Sequence, residues 1–171
     1  AEHDPDAQSI AVLIGKCDLN AVLRELVGQT AVAPRREIIE KSICNAGAII
    51  QVPDVKSAIE IANEKAPEHL EIITKNARAV ANKIRNAGAI FLGPLTAEAI
   101  GDYAAGPNHT LPTSGTARFF SPLSVWSFYK CSHVVECSPQ ALETLAPSVL
   151  TIAEAEGLYA HAEAVRRRLK K

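Results

Sequence analysis

Methionine is absent from the 171-residue sequence, which opens on Ala1. A natural full-length product normally begins with methionine, so we expect these residues to be part of a longer chain. Cysteine is scarce as well, and four scattered thiols argue against a disulfide framework. A reducing compartment follows, most simply the cytoplasm.

Long hydrophobic runs and an excess of one charge are also missing. No apolar stretch approaches the roughly 20 residues that span a bilayer, and no signal-peptide pattern is seen. The net charge of −1 predicts neither a nucleic-acid partner nor an acidic membrane surface. The glycine-containing stretch 101–106 lacks both the P-loop lysine and the dinucleotide fingerprint, so no phosphate-binding turn is predicted.

Short apolar runs that alternate with helical patterns dominate the first two thirds of the chain. The runs 9–15, 48–52 and 89–92 have the character of strands buried on both faces. Helix-capping residues stand where helical patterns begin: Asp18, Asp54 and Asn76. This alternation predicts an α/β fold, a parallel sheet with flanking helices.

Residues 101–129 form a long segment rich in Gly, Pro, Ser, Thr and aromatic residues, with Asp102 and His109 near its start. Such composition resists helix and strand periodicity, and long irregular loops in compact domains are usually functional or disordered. Because its aromatic residues favour burial, we interpret it as a functional loop. A strand-like stretch at 132–137 follows, and then a helical region to residue 171 that Pro147 and Gly157 interrupt.

Two histidines follow the two copies of a short internal sequence repeat. Asn-Ala-Gly-Ala-Ile occurs at 45–49 and 86–90, and Pro-x-His follows each copy, ending at His69 and His109. A site between these histidines is therefore plausible. Glu68 and His69 are adjacent and could act as general acid and base. A rival metal site, Cys131-Ser-His133-Val-Val-Glu-Cys137, matches no finger or ribbon spacing.

A family resemblance rests on two motifs. The segment 101–113, GDYAAGPNHTLPT, resembles the signature of histidinol dehydrogenase, and Ala-Pro-Glu-His-Leu at 66–70 resembles the catalytic motif of that family. The resemblance implies zinc-dependent oxidation of L-histidinol to L-histidine, through L-histidinal and with NAD. It also implies that this chain is the C-terminal portion of a protein more than twice as long.

The resemblance carries roles to individual residues. Glu68 is expected to activate water, and His69 to act as base on the substrate hydroxyl. The expected zinc ligands are His3, Asp102 and His161, with a glutamine just before Ala1 as the fourth. The expected substrate contacts are His3, His69, Asp102, His109, Glu156 and His161. No NAD-binding residue is expected in this chain, because the family's NAD site lies in the N-terminal half.

The resemblance also implies an architecture. Residues 1–122 should be the second half of an incomplete Rossmann-like domain carrying the zinc and substrate loop. Residues 123–138 should be a connecting arm, and 139–171 a helical unit that crosses to the partner of an intertwined homodimer. By itself the chain should be inactive. Two alternatives stay open: a zinc hydrolase using Glu68 and a metal-bound water, and a non-catalytic dimerisation module.

Overall fold

The computed structural model describes residues 1–170 and has the α/β class that the alternation predicts. The described residues contain four strands and seven α-helices. In chain order these are β1 (Ile10–Ile14), α1 (Leu19–Val32), α2 (Arg36–Ala46), β2 (Ala48–Val52), α3 (Val55–Lys65), β3 (His69–Ile72), α4 (Ala77–Ala81), β4 (Ala89–Leu92), α5 (Glu98–Tyr103), α6 (Pro139–Ala155) and α7 (Tyr159–Leu169). Short 3-10 turns lie at Thr116–Arg118 and Val125–Phe128. No helix among residues 1–170 combines the length and the apolar character that crossing a membrane requires.

The strands form two separate parallel pairs, where the alternation suggested a single sheet. β1 pairs with β2, with Ile10 opposite Ala48. β3 pairs with β4, with His69 opposite Ala89. Helices connect the two strands of each pair: α1 and α2 lie between β1 and β2, and α4 lies between β3 and β4. Parallel neighbours require such a crossover, which explains why each pair is local in sequence.

The predicted helix starts are confirmed at three positions. The Asp18 carboxylate accepts from the Ala21 N–H at 3.0 Å, and Asp54 accepts from the Ser57 N–H at 2.8 Å. Asn76 caps α4 in the same way. A side-chain oxygen at this place satisfies one of the backbone donors that a helix leaves free at its first turn.

The chain divides into two units, Ala1–Phe128 and a second that starts at Tyr129. In the second unit two predictions are wrong. Stretch 132–137 is not a strand, since no other strand of the described residues pairs with it, and Val134 and Val135 are exposed. Pro147 lies inside α6 instead of ending it, whereas Gly157 does separate α6 from α7. The predicted boundaries at residues 122 and 138 stay predictions.

Candidate functional site

The backbone around Glu68 and His69 is held by the turn that ends α3. Ala66 caps that helix in the left-handed conformation, with φ of 50°, and is fully buried. The next two carbonyl groups are paired with the start of β4: Pro67 O accepts from Gly88 N at 2.9 Å, and Glu68 O accepts from Ala89 N at 2.8 Å. These bonds place His69 at the first position of β3.

Helix α5 brings two carboxyl groups to His69. Glu98 and Asp102 are four residues apart, which places both on one face of the helix. The Glu98 N–H donates to Glu71 Oε1 of β3 at 2.9 Å and thereby attaches the start of the helix to the strand. Gly101 is buried against the ring of Phe91, so α5 approaches β4 closely.

His69, Glu98 and Asp102 form a cluster whose ligand atoms all lie within 4.8 Å of one another. His69 Nε2 is 3.3 Å from Glu98 Oε1 and 3.6 Å from Asp102 Oδ1. Neither contact is aligned as a hydrogen bond, and this buried nitrogen has no hydrogen-bond partner in the described part of the chain. The imidazole lies beside Phe91, with ring centroids 6.0 Å apart.

The two carboxyl groups of the cluster share a hydrogen bond that separates their proton affinities. It raises the pKa of Glu98 above its ordinary value, and removal from water raises that pKa further. The same hydrogen bond lowers the pKa of Asp102, and the nearby charges of His69 and His109 lower it too. Of the two carboxyl groups, Glu98 therefore holds a proton more readily and Asp102 gives one up more readily.

One imidazole nitrogen and two carboxylates are donor types that Zn²⁺ accepts. Exposed acidic groups often cluster without a metal, so the carboxylates alone would carry little weight. The buried histidine nitrogen without a hydrogen-bond partner is the stronger observation, because buried polar atoms are normally paired. The arrangement can either bind a divalent cation or hold the His69 imidazole between the two carboxyl groups as a base.

Comparisons with known proteins decide the family. The model of the histidinol dehydrogenase family matches residues 1–169. The chain is 51% identical to histidinol dehydrogenase of Caldanaerobacter subterraneus over 98% of its own length and 39% of the relative. It is 47% identical to that of Acinetobacter baylyi, over 98% of its length and 39% of the relative. The crystal structure of histidinol dehydrogenase from Elizabethkingia anophelis superposes with a TM-score of 0.82 at 35% identity, covering 99% of this chain and 39% of that one.

The chain belongs to the histidinol dehydrogenase family. It spans about two fifths of the length of the curated relatives it matches. The resemblance inferred from the motifs at 66–70 and 101–113 is thereby confirmed.

The structure brings together some of the residues that the family resemblance predicts. His69 and Asp102 share the cluster, and His109 lies close enough for its charge to lower the pKa of Asp102. Glu68 directly precedes His69 and is half-buried, but it is not one of the three clustered donors.

Three other predicted residues lie elsewhere. His3 is exposed near the start of the chain, where its carbonyl accepts from Arg35, and it is not part of the cluster within residues 1–170. Glu156 and His161 are exposed residues of the second unit, at the end of α6 and in α7. Their roles in this histidinol dehydrogenase segment stay predictions.

Glu98 is the site residue that sequence reasoning missed. Glu98 lies one turn before Asp102 in α5. That spacing was the available signal. The rival cysteine-containing segment does not form a metal-binding group in the described residues, and Cys131 and Cys137 are exposed free thiols.

Proposed function

We propose that a family-length polypeptide containing these residues oxidises L-histidinol to L-histidine through L-histidinal, using zinc and NAD. The observation that supports this proposal is the position of His69. Its buried Nε2 lies 3.3 Å from Glu98 and 3.6 Å from Asp102, in a chain of the histidinol dehydrogenase family. An imidazole held between carboxylates is suited to taking up a proton, because the negative charge stabilises the imidazolium that forms.

His69 takes the proton of the substrate hydroxyl as the alcohol is oxidised to the aldehyde. Glu68 then activates a water molecule, whose oxygen adds to the aldehyde carbon and becomes the second carboxylate oxygen. The first oxidation removes a hydride and releases one proton. The second removes a hydride and releases two protons, because water is added and the product is a carboxylate. The four-electron change therefore needs two hydride acceptors. NAD supplies that acceptor when bound.

The proposed zinc ligands of this chain are His3, Asp102 and His161. Asp102 is suited to this role because the hydrogen bond with Glu98 lowers its pKa, which favours the carboxylate form that binds a metal. Zinc supplies a Lewis acid for the substrate oxygen. The proposed substrate contacts are His3, His69, Asp102, His109, Glu156 and His161.

NAD has no assigned residue among residues 1–170. Each of the four described strands is followed by a helix, and none of these connections is a glycine-rich dinucleotide turn. We therefore place the NAD site outside these residues and expect the 171-residue chain alone to produce no NADH from histidinol. A homodimer with intertwined C-terminal helices and a cytoplasmic location are further parts of the proposal.

A zinc hydrolase is the second candidate, and the cluster itself favours it. If a cation bound directly to His69, Glu98 and Asp102, then Glu68 could serve as base for a metal-bound water. In that case His69 would be a ligand and not a base. The non-catalytic dimerisation module is the third alternative and requires neither role.

Replacing His69 with asparagine in a family-length chain distinguishes these candidates. Loss of a general base should lower NADH production about 10²–10⁴-fold while zinc content stays the same. His133→Asn, at an exposed histidine of the second unit, is the matched control and should change neither quantity. If zinc content falls in step with activity, His69 is a ligand and the second candidate is favoured. Absence of histidinol-dependent NADH from the unmutated family-length chain would refute the proposed function.

A further inference from the structure

We propose that Arg118 is a positioning residue of this site. Its guanidinium joins the loop that carries His109 to the C-terminal end of α3, and thereby sets His109 relative to Glu68 and His69. The proposal rests on the proposed function only in taking those three residues as the site. The contacts that define the link are independent of it.

Arg118 donates hydrogen bonds to two segments at once. Its Nη2 donates to the carbonyl of Glu64, in the last turn of α3, and its Nη1 donates to the carbonyl of Gly115 at 2.8 Å. Carbonyl groups of the last helical turn lack partners within the helix and carry partial negative charge, which a guanidinium complements. No carboxylate of the described residues forms an ion pair with Arg118, and its guanidinium donates to these two carbonyls.

The turn beneath Arg118 is built for a close approach. Gly115 has φ of +78°, and a Cβ atom there would lie 2.5 Å from Arg118 Nη1. The Thr116 N–H and Oγ1 both donate to Thr113 O, at 2.9 and 2.6 Å, and Ala117 is buried. Its own hydrogen bonds therefore hold the turn in one conformation, and Arg118 attaches this turn to α3.

A second contact lies between this link and His109. A Cβ atom at Gly88 would lie 2.6 Å from Glu68 O, 3.2 Å from Pro112 Cδ and 3.3 Å from Leu111 Cβ. The loop and the Glu68 carbonyl therefore meet at the same glycine. His109 precedes this contact by two residues, and Arg118 fixes the far end of the same loop. Without Arg118 the loop keeps its contact at Gly88 and the hydrogen bond from Leu123 N–H to Thr110 O, but it loses the hydrogen bond that links it to α3.

Lysine cannot replace both bonds. A guanidinium presents its donors in a rigid fork, which suits two carbonyls on different segments, whereas an ammonium is a single point charge on a flexible stem. Arg118→Lys should therefore keep the charge near α3 and weaken the double link. Arg118→Gln should lose both.

The test uses a family-length chain with Arg118→Gln, Arg118→Lys and the control Arg78→Gln, an exposed arginine of α4. Hydrogen exchange is measured at Gly88 and Ala89, whose N–H groups bond to Pro67 and Glu68, together with kcat and KM for L-histidinol. Arg118→Gln should lower protection there at least about 10-fold, because it removes two hydrogen bonds from a charged donor. It should lower kcat about 10–100-fold with a smaller change in KM, because misplaced groups affect the reacting geometry. Arg118→Lys should fall between.

Several outcomes would overturn the proposal. Protection and kcat of Arg118→Gln equal to those of Arg78→Gln would show that the link has no effect. An equal loss of protection in α6 and α7 would indicate general destabilisation. A local loss of protection with unchanged kcat would leave Arg118 without a positioning role. If the unmutated family-length chain has no activity on histidinol, the proposed function fails. The hydrogen-exchange data alone then decide whether Arg118 holds the loop.

Discussion

Replacing Gly101 with alanine tests the packing that brings Asp102 to His69. Gly101 is a buried residue of α5, next to Asp102. A Cβ atom at this position would lie 2.8 Å from Phe91 Cζ and closer still to Cε1. Since ordinary contacts begin at 3.4 Å, either the ring of Phe91 or the helix must move by several tenths of an ångström or more.

Two opposing contributions set the magnitude. Overpacking of a well-packed contact costs about 1–3 kcal/mol. Replacing a helical glycine by alanine contributes about 0.5–1 kcal/mol of stabilisation through backbone entropy. We therefore expect Gly101→Ala to lower the free energy of unfolding by about 0–2.5 kcal/mol net. Activity should fall further than this loss alone explains, because the ring of His69 lies beside Phe91.

Denaturant unfolding of a family-length chain measures the effect, and Gly28→Ala is the matched control. Gly28 is also helical, within α1, and a Cβ atom there would meet nothing within 4 Å. Its replacement should raise the free energy of unfolding by about 0.5–1 kcal/mol. In a Phe91→Leu background the cost of Gly101→Ala should largely disappear, since the atoms that it would meet are gone.

Two results would refute this reasoning. If Gly101→Ala stabilises the chain as Gly28→Ala does, α5 does not pack against Phe91 as described. If the full cost persists in the Phe91→Leu background, the ring is not its cause.

Three further predictions concern the dimer, the dependence of stability on acid pH, and a helix cap. The family resemblance implies that Asp102 of one chain and His161 of its partner bind the same zinc in an intertwined dimer. Co-expression of family-length Asp102→Ala with family-length His161→Ala should therefore give more histidinol oxidation than either variant alone. Heterodimers of confirmed composition that stay inactive would refute the shared site. The hydrogen bonds from Ser57 lower the pKa of Asp54 below 3.8, so its stabilising contribution is present above the unfolded pKa and is lost as pH falls through the folded one. Asp54→Asn should therefore make the free energy of unfolding less dependent on pH below about pH 4. An unchanged dependence of this free energy on pH would contradict the prediction. Ser138→Ala removes the cap of α6 and should lower the stability of that helical unit by about 1 kcal/mol in thermal unfolding, whereas Ser138→Gly should cost less.

Local structure could be predicted wherever it depends on neighbouring residues. Asp18, Asp54 and Asn76 cap the predicted helices because a side-chain oxygen needs to reach only the third residue along the chain. Strands β1, β2 and β4 were predicted from their apolar runs, each of which is short and local in sequence. Stretch 132–137 was mistaken for a strand because alternation is local, whereas a strand also needs a neighbour to pair with.

The sequence alone determined the family, through the motifs at 66–70 and 101–113. Only the tertiary structure decided that Glu98 lies beside His69 and Asp102, and that Arg118 reaches the end of α3. Glu98 is attached to Glu71 across 27 residues of chain, and Arg118 reaches Glu64 across 54. Such contacts depend on how helices and loops pack on the strands, which no local pattern of residues specifies.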